Sequence, residues 1–392
     1  MAQEQRIEQI VIEGGPAGGK STVIPILKHE LKKDGWMVLV SSEVPTRLIN
    51  EHDYVLEGEG KNIDNDAFQR LVLKHVIEQE DALRARALES GHPKVVILCD
   101  RGLFGGAAYV SPADFFRMAR DCFGMSRDDM YGRYGGCVFL LSPASDRPDI
   151  YKKVWKSNPA RRERTVKAAA AQNARSLDAC VGVDRLFIVQ NDAFTFDEKV
   201  KKVVAVVRHL LSDQEIERKW TSNWRFTPEV FQEICARWGI YSIPIRISQT
   251  YLTLSDEDKS ADIKERRVRA RQMDSAASRG SFTLTKKGAK QDGAGTEEEM
   301  QISLGKYRAL RREADPSKVE IKKTRFCFVY GAWYYEFDIF DRPRGQAAIL
   351  ERELLPGENA DGVPDFLSFL GILRDVTDDP AFSNKNIAKR PV

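Results

Sequence analysis

The first half of the chain alternates between short apolar runs and longer stretches in which apolar residues recur every three or four positions. The runs predict buried strands, and the longer stretches predict helices that cover a sheet. The clearest helical stretch is 68–89, and a basic one covers 158–178. The runs predicted as strands are 6–13, 36–46, 94–102, 135–143 and 185–191. Strands that alternate with helices predict an α/β domain with a mostly parallel sheet and flanking helices.

From Gln214 onward the pattern changes to a period of two. Residues i and i+2 of a strand share a face and lie about 6.6 Å apart, so EIERKW (215–220) places Glu215, Glu217 and Lys219 on one face. A single strand of this kind is typical of a solvated sheet face. The same spacing recurs, with apolar residues between the charges, in the segments 265–271, 282–288, 296–303, 321–328, 333–340 and 347–355.

Several antiparallel strands with one charged face can close around a charged interior, which removes exposed sheet edges. Because an unpaired buried ion costs several kcal/mol, only a wet lumen with bound ligands tolerates that arrangement. Carboxylates in such a lumen suit divalent cations, and Arg and Lys suit phosphate oxygens. We therefore expect a second, α+β domain whose antiparallel strands could close into a barrel. Its predicted helices are 227–238, 304–315 and 364–376.

The composition indicates a protein with room for two folded domains. The chain has 392 residues, of which 42% are apolar and 30% charged, and the change of pattern near 210–214 predicts domains at 1–211 and 212–392. A net charge of +3 is too close to balance to require nucleic acid or anionic lipid as a partner. The six cysteines are scattered, and no run reaches the ~18 apolar residues of a membrane span. We therefore expect a cytoplasmic protein without a transmembrane segment.

The glycine-rich segment GGPAGGKS (14–21) lies between the first strand and a helix and has the spacing G-x-x-x-x-G-K-S. Glycines allow the backbone to wrap around phosphate oxygens so that its N–H groups point at them. Lys20 would reach the terminal phosphates, Ser21 would bind Mg²⁺, and the helix N-terminus adds partial positive charge. A turn that binds nothing is the simpler alternative, but the full motif in this context favours a nucleotide site. Its residues are Gly14, Gly15, Gly18, Gly19, Lys20, Ser21 and Thr22.

Two carboxylates lie at the ends of predicted strands in the first half. Glu43 and Asp100 occupy positions where sites collect in open α/β sheets. A carboxylate at the position of Asp100 either orients Mg²⁺ through water or takes a proton from a phosphoryl acceptor. The basic run at 161–164 contains Arg161 and Arg164, which would close over the phosphates as a lid. Such a run is more often a solvated helix face, so both interpretations stay open.

Together these segments resemble the kinase-like P-loop domain of the NadR nicotinamide-riboside kinases and of the TRPL-channel trafficking regulators. The matching segments are GGPAGGKST, SSEVPT, FQ at 68–69, CDRG at 99–102, the basic run and IVQN at 188–191. The resemblance covers residues 6–210. Since the group contains kinases and GTP-binding regulators, it implies that ATP or GTP binds, and it does not identify a phosphoryl acceptor.

The second half resembles the CYTH superfamily, the triphosphate tunnel metalloenzymes. EIERKW is similar to the ExExK signature of that superfamily, and the similarity covers residues 214–389 through the segments 247–252, 265–271, 284–288, 321–326, 335–340, 350–355 and 375–388. The resemblance implies an eight-stranded antiparallel tunnel that acts on triphosphates with Mg²⁺ or Mn²⁺. The implied metal ligands are Glu215, Glu217, Glu299, Asp338, Glu351 and Glu353. The implied phosphate-binding residues are Lys219, Arg267, Arg269, Lys287, Lys323, Arg325 and Lys385.

The leading hypothesis is a bifunctional enzyme in which a nucleotide-binding, kinase-like domain is joined to a metal-dependent triphosphatase. Its substrate would be inorganic triphosphate, a nucleoside triphosphate or the 5′-triphosphate end of a nucleic acid, with Glu217 and Lys219 acting in catalysis and Asp100 acting in the first domain. The alternative is an ATP- or GTP-binding regulatory or trafficking protein whose tunnel binds polyphosphate or a phospholipid headgroup, such as a phosphoinositide, without rapid turnover. Paired carboxylates favour catalysis, and the near-neutral charge disfavours nucleic acid.

Overall fold

The chain divides into two compact units, Met1–Leu211 and Ser212–Val392. The computed structural model describes residues 5–52, 54–55, 61–62, 64–155, 163–191, 195–212, 216–222, 224–273, 280–291, 294–358 and 371–390. Among the described residues, no helix is long and apolar enough to cross a membrane.

The first unit is built on a parallel sheet, as the alternation of runs predicts. The strands are β1 (Arg6–Gly14), β2 (Met37–Ser41), β3 (Tyr54–Val55), β4 (Lys61–Asn62), β5 (Lys94–Asp100), β6 (Gly136–Leu140) and β7 (Leu186–Val189). Within the described residues five of them form one sheet in the order β2-β5-β1-β6-β7, and every pairing in it is parallel. The carboxyl ends of these strands therefore meet at one edge, where ligands bind in such sheets.

Helices flank this sheet. They are α1 (Lys20–Lys33), α2 (Val44–His52), α3 (Asn65–Glu89), α4 (Pro112–Phe123), α5 (Arg127–Tyr131), α6 (Pro143–Asp146), α7 (Pro148–Val154), α8 (Val166–Cys180) and α9 (Phe196–Leu210). The central strands are apolar because both of their faces are covered, and Val95 to Cys99 of β5 have no exposed surface.

The second strand is shorter than the sequence pattern predicts. The expected strand at 36–46 ends at Ser41, and α2 begins at Val44. Pro45 explains the change, since proline has no N–H for a sheet and fits the first turn of a helix, where the N–H has no partner. Glu43 therefore lies in the turn between β2 and α2, where its carboxylate accepts a hydrogen bond from the Thr46 hydroxyl at 2.9 Å.

The second unit is built on an antiparallel sheet. Its strands are β8 (Glu217–Ser222), β9 (Ser242–Tyr251), β10 (Ile263–Gln272), β11 (Ser281–Gln291), β12 (Ala294–Gln301), β13 (Ile321–Tyr330), β14 (Trp333–Arg342), β15 (Ile349–Glu353) and β16 (Ile372–Asp375). Its helices are α10 (Pro228–Arg237), α11 (Asp256–Ser260), α12 (Leu304–Leu310) and α13 (Asn384–Ile387). This tunnel-like α+β architecture is the one that the charged strands predict.

The sheet differs from the expectation in one strand. The resemblance implies eight strands, and the described residues form nine, in the order β12-β11-β10-β9-β13-β14-β15-β8-β16. The additional strand is β16, which pairs with β8 and lies where a helix was expected at 364–376. The prediction is wrong at 372–375, because pairing along β8 supplies backbone hydrogen bonds that the local sequence does not reveal. Residues 364–370 lie outside the described part of the chain.

The two faces of this sheet have opposite chemistry. Trp220, Phe326 and Phe337 are buried on the apolar face, where Phe231 of α10 packs against them. The charged residues Lys219, Arg325 and Asp338 alternate with them along β8, β13 and β14 and lie on the opposite face. Because the helix covers the apolar face, the charged face is left as the interior surface for a ligand.

Candidate functional site

The segment between β1 and α1 forms a loop at the carboxyl edge of the parallel sheet. The Gly18 N–H closes the turn by donating to the Gly15 carbonyl at 3.0 Å, and the Gly15 N–H donates to the Leu140 carbonyl at 3.3 Å. Gly19 precedes α1 with a φ of 102°, a left-handed conformation that favours glycine. Since glycine has no side chain to cap the helix, the first turn of α1 can offer its N–H groups to an anion.

The loop packs tightly against β6. A Cβ at Gly14 would lie 2.6 Å from the Leu140 carbonyl oxygen, and a Cβ at Gly18 would lie 2.7 Å from the same atom. Both distances are too short for a real contact. The spacing of glycines in the motif is therefore required by the approach of the loop to the neighbouring strand, as well as by phosphate chemistry.

Lys199 of α9 holds the loop from the other side. Its side chain is buried, and its ammonium donates to the Gly18 carbonyl at 3.0 Å, the Leu141 carbonyl at 3.1 Å and Asn191 Oδ1 at 2.7 Å. The sequence did not predict this role for Lys199, since a lysine in an amphipathic helix has the pattern of a solvated position. The only sequence signal is its place within the buried stripe of α9.

The predicted nucleotide-binding residues of the loop are brought together. Lys20 donates to the Gly14 carbonyl at 3.4 Å, and Ser21 and Thr22 are exposed in the first turn of α1. All seven residues line one cavity of about 690 Å³. The arrangement can therefore present backbone N–H groups, one ammonium and two hydroxyls to a polyphosphate.

Arg101 holds two carboxylates beside the loop. Its Nη1 donates to Glu13 Oε1 at 3.0 Å, and its Nε donates to Glu43 Oε1 at 2.9 Å. Burial opposes the charge of Arg101, but Tyr109, Glu13 and Glu43 raise the pKa of its guanidinium above the ordinary value. Burial acts to raise the pKa of Glu43, but the positive charges of Arg101 and Lys20 outweigh burial and hold this pKa below its ordinary value. Glu13 was not predicted, because it lies within an apolar run.

Asp100 lies at the end of β5 and lines the same cavity as Lys20. Among the described residues, its Oδ1 is buried and has no hydrogen-bond partner. Burial raises the pKa of the Asp100 carboxyl to about 6, with Lys20 acting against the increase and Glu43 adding to it. A carboxylate with a pKa near neutrality is suited to accept a proton at physiological pH.

One of the two arginines predicted as a lid lies among the described residues. Arg164 is exposed, and its neighbour Glu163 lines the cavity. Arg161 lies outside the described residues. Both interpretations of the basic run stay predictions.

In the second unit, acids and bases of four neighbouring strands form one group on the charged face, the Arg325 cluster. Arg325 forms a bidentate pair with Asp338 at 2.7 Å for each bond, and its Nη2 donates to Glu351 Oε2 at 2.6 Å. Lys219 Nζ lies 2.8 Å from both Glu217 Oε1 and Glu351 Oε1. The cluster consists of Glu217, Lys219, Lys323, Arg325, Glu336, Asp338 and Glu351.

The electrostatics of the cluster stabilise the charged forms of Glu351 and Lys219 but not that of Lys323. Burial raises the pKa of the Glu351 carboxyl, but Lys219, Arg325 and Lys323 outweigh burial and hold it below the ordinary value. Burial lowers the pKa of Lys219, and Glu351 and Glu217 reverse that effect. For Lys323 burial prevails over Asp338, and the pKa is lowered. The cluster is thus a buried ionic network that can exchange its internal pairs for those of an anionic ligand.

A second group on the same face lies across β9. Arg269 Nη2 donates to Glu299 Oε1 at 3.3 Å, and the Thr285 hydroxyl donates to the same oxygen at 2.9 Å. Arg267 Nη1 donates to Glu265 Oε1 at 3.3 Å. The cross-strand register places these residues beside one another on β10, β11 and β12.

The remaining predicted residues lie around the two groups. Lys287 faces Glu265 across β10 and β11, and Glu353 faces Glu217 across β15 and β8. Lys385 donates to the Lys264 carbonyl at 3.2 Å and lies at the end of the charged face. Glu215 lies outside the described residues.

The implied metals fit the two units differently. In the first unit, the Ser21 hydroxyl lines the cavity beside the loop, and an oxygen donor of this kind suits Mg²⁺. In the second unit, the described carboxylates are held by lysine and arginine side chains. Among the described residues, no group of three or more His, Cys, Asp or Glu side chains is arranged to hold a metal ion. The tunnel therefore contains carboxylate oxygens that suit Mg²⁺ or Mn²⁺, but its described residues are not arranged as a metal site.

Comparison with solved structures finds proteins that are similar to somewhat less than half of the chain. The inorganic triphosphatase NE1496 is 22% identical, and the match covers 44% of this chain and 93% of that protein, with a TM-score of 0.28. The protein PH1819 from Pyrococcus horikoshii is 21% identical, and the match covers 41% of this chain and 92% of that protein, also with a TM-score of 0.28.

Comparison with curated proteins finds no match to the chain. Comparison with protein-family models finds one match, in the first unit. Residues 9–194 match the family model described as the AAA domain, and this part of the chain is therefore similar to that nucleotide-binding family.

Proposed function

We propose that the protein handles phosphates at two sites. In the first unit it binds ATP or GTP with Mg²⁺ and transfers the terminal phosphoryl group to an acceptor. In the second unit it binds triphosphates and hydrolyses them with Mg²⁺ or Mn²⁺. The single observation that supports the first activity is the cavity that joins the loop 14–22 to Asp100, whose buried Oδ1 atom has no hydrogen-bond partner among the described residues.

The residues of the first unit take separate roles in this proposal. Backbone N–H groups of the loop and the ammonium of Lys20 bind the phosphates, and the hydroxyl of Ser21 holds Mg²⁺. Mg²⁺ withdraws charge from the phosphoryl group when it is bound. Asp100 accepts the proton of the acceptor, since its carboxylate lines the same cavity and its pKa is near 6. Arg101 fixes Glu13 and Glu43 beside Asp100.

The residues of the second unit bind the triphosphate group. Lys219, Lys323 and Arg325 present positive charge in a site from which much of the water is excluded, where interaction with phosphate oxygens is strong. Arg267 and Arg269 extend this surface across β9. The substrate would be inorganic triphosphate or a nucleoside triphosphate. A nucleic-acid 5′ end is less well supported, because the net charge of +3 is too small to attract a polyanion.

A second candidate is a regulatory or trafficking protein in which the tunnel binds polyphosphate or a phosphoinositide headgroup without rapid turnover. The observation that favours it is the pairing of Glu217, Asp338 and Glu351 with basic side chains, which leaves no described group of carboxylates for a metal. In either case we propose a cytoplasmic location, where nucleotides are available.

The experiment for the first unit is titration with a fluorescent ATP analogue and, separately, a fluorescent GTP analogue in Mg²⁺. Lys20→Ala is expected to weaken binding at least tenfold. Lys33→Ala, at the exposed end of the same helix, is the matched control and is expected to bind normally. Equal affinity of Lys20→Ala and the unmodified protein would contradict the nucleotide site.

The experiment for the second unit is phosphate release from inorganic triphosphate, ATP and GTP, with Mg²⁺, with Mn²⁺ and after chelation of metals. Glu217→Gln is expected to abolish metal-dependent release without changing nucleotide binding in the first unit. Glu298→Gln, at an exposed position of β12, is the control. Tight triphosphate binding without release in any metal would favour the regulatory candidate over the hydrolase.

A further inference from the structure

The cavity of the first unit continues beyond the phosphate loop into an apolar pocket. On the side of β2 and β5 it is lined by side chains of α2, α3 and α4, and we call this part the α2–α3 pocket. Its walls are Val44, Ile49, Phe68, Val72, Val76 and Phe115. Val44, Phe68 and Val72 form one core cluster, against which Ile49 and Val76 pack. The six wall residues carry no charge, so this part of the cavity is suited to an uncharged, apolar group.

Two polar side chains lie in this part of the cavity. Gln69 is only 5% exposed and lines the cavity. The Oδ1 atom of Asp100 is buried and has no hydrogen-bond partner among the described residues. Buried polar groups are nearly always hydrogen-bonded, and each one that is not calls for an explanation. A ligand that donates to Asp100 would satisfy this atom, and the amide of Gln69 can pair with a further polar group of the same ligand.

The α2–α3 pocket adjoins the end of the loop where the terminal phosphate would lie. Lys20 lines the same cavity as Asp100, which ends β5, and Glu43, which follows β2. The lining of the cavity also includes Asn191, which follows β7, and Phe196 at the start of α9. A nucleotide whose base lies beside these two residues would leave the α2–α3 pocket free for a second molecule.

We propose that the α2–α3 pocket binds the phosphoryl acceptor and that this acceptor is an uncharged, largely apolar alcohol with one further polar group. The hydroxyl oxygen attacks the terminal phosphorus, the new O–P bond forms, and the bond from that phosphorus to the bridging oxygen breaks. The hydroxyl proton passes to Asp100, and the nucleoside diphosphate leaves with the bridging oxygen. Gln69 binds the further polar group and so selects among apolar alcohols. This inference rests on the proposed phosphoryl transfer and names its substrate class.

The test uses 2-naphthalenemethanol as the probe and ligand-observed NMR on the full chain, with and without saturating ADP and Mg²⁺. We expect the probe to bind with a dissociation constant below ~1 mM and to bind equally well with ADP present. Xylitol, a polar polyol, is expected not to bind. Val76→Trp fills the pocket and is expected to weaken probe binding at least tenfold. Leu88→Trp on the same helix, 61% exposed and outside the cavity, is expected to leave it unchanged.

Three results would overturn the inference: xylitol binding as well as the probe, unchanged binding in Val76→Trp, or displacement of the probe by ADP. The last result would assign the pocket to the nucleotide base. The titration with fluorescent nucleotides tests the proposed function separately. If the unmodified protein does not bind nucleotide, the proposed function is contradicted, whatever the result with the probe. Val76→Trp is expected to retain nucleotide affinity, which also shows that the variant is folded.

Discussion

The guanidinium of Arg325 forms a bidentate pair with the carboxylate of Asp338, with Nε–Oδ1 and Nη2–Oδ2 distances of 2.7 Å. The two residues face one another across β13 and β14, and Asp338 is 1% exposed. A buried pair of this geometry forms two parallel, charge-assisted hydrogen bonds, so the charged face is organised before a ligand binds. A triphosphate would meet an organised surface and would have to compete with the internal pairs.

Removal of Arg325 is expected to destabilise the second unit strongly. Arg325→Leu leaves Glu351 and Glu336 without their guanidinium partner, and breaking one side of a buried ion pair costs about 3–5 kcal/mol. Arg218→Leu removes a surface pair with Asp375 and is expected to cost less than about 1 kcal/mol. Urea unfolding followed by tryptophan fluorescence measures both changes, and equal costs would contradict a buried network around Arg325.

Lys199 is expected to support nucleotide binding without touching the nucleotide. Lys199→Met leaves two carbonyls and the Asn191 amide oxygen without their donor, at a cost of about 1–3 kcal/mol for each buried group that stays unsatisfied. The loop would then shift, and nucleotide affinity is expected to fall at least tenfold. Lys201→Met, at an exposed position of α9, is the control. A Lys199→Met protein with unchanged affinity and stability would show that the loop holds its shape alone.

Asp100 is expected to determine how phosphoryl transfer depends on pH. The pKa of its carboxyl is about 6, and only the ionised form accepts a proton. The rate of ADP formation is therefore expected to rise with pH up to about 6 and then to level off. Asp100→Asn is expected to lower the rate about 10²–10⁴-fold and to remove this dependence, with nucleotide affinity retained. Asp121→Asn, an exposed change, should behave as the unmodified protein, and a persisting pH step in Asp100→Asn would assign it to another group.

Glu80 is expected to make the first unit less stable as pH rises. It is 1% exposed, and its carboxyl accepts hydrogen bonds from Tyr134 and Gln9, each at 2.9 Å. Burial raises its pKa to about 7. Between its ordinary pKa and 7 the unfolded chain loses this proton while the folded chain keeps it. The free energy of unfolding therefore falls by on the order of 3 kcal/mol over that range. Above it, the free energy of unfolding becomes level.

The variant Glu80→Gln tests this effect. It is expected to be more stable than the unmodified protein at pH 8 and to flatten the dependence between pH 5 and pH 8. Glu78→Gln, on the exposed face of the same helix, is the control. Chemical unfolding at several pH values gives the comparison, and an unchanged slope in Glu80→Gln would assign the dependence to other groups.

The sequence was sufficient to predict the phosphate loop, because its geometry depends on residues that are neighbours in the chain. The order of glycines, Lys20 and Ser21 between a strand and a helix defines a turn and a helix start. The sequence was not sufficient to identify Lys199 or Glu13 as residues of the site. Lys199 reaches the loop only because the sheet order brings α9 beside β6, and no local pattern records that contact.

The same distinction holds for secondary structure. The period of two in β8, β13 and β14 correctly predicts which residues share a face. The predicted helix at 364–376 is wrong at 372–375, because the strand there depends on pairing with β8. The predicted strand at 36–46 ends at Ser41, and Pro45 is the sequence signal that indicates this earlier end. The roles of the tunnel residues and of Asp100 remain predictions.

The sequence by itself determined the class of each half, the phosphate loop and the charged face of the strands, since these follow from local conformation and residue periodicity. The tertiary structure alone decided which charges meet, as Arg325 and Asp338 do, and which groups share a cavity, as Lys20, Asp100 and Gln69 do. The physical reason is that register and burial come from contacts between distant segments. Those contacts raise the pKa of Asp100 and bury Gln69 in the wall of the same cavity.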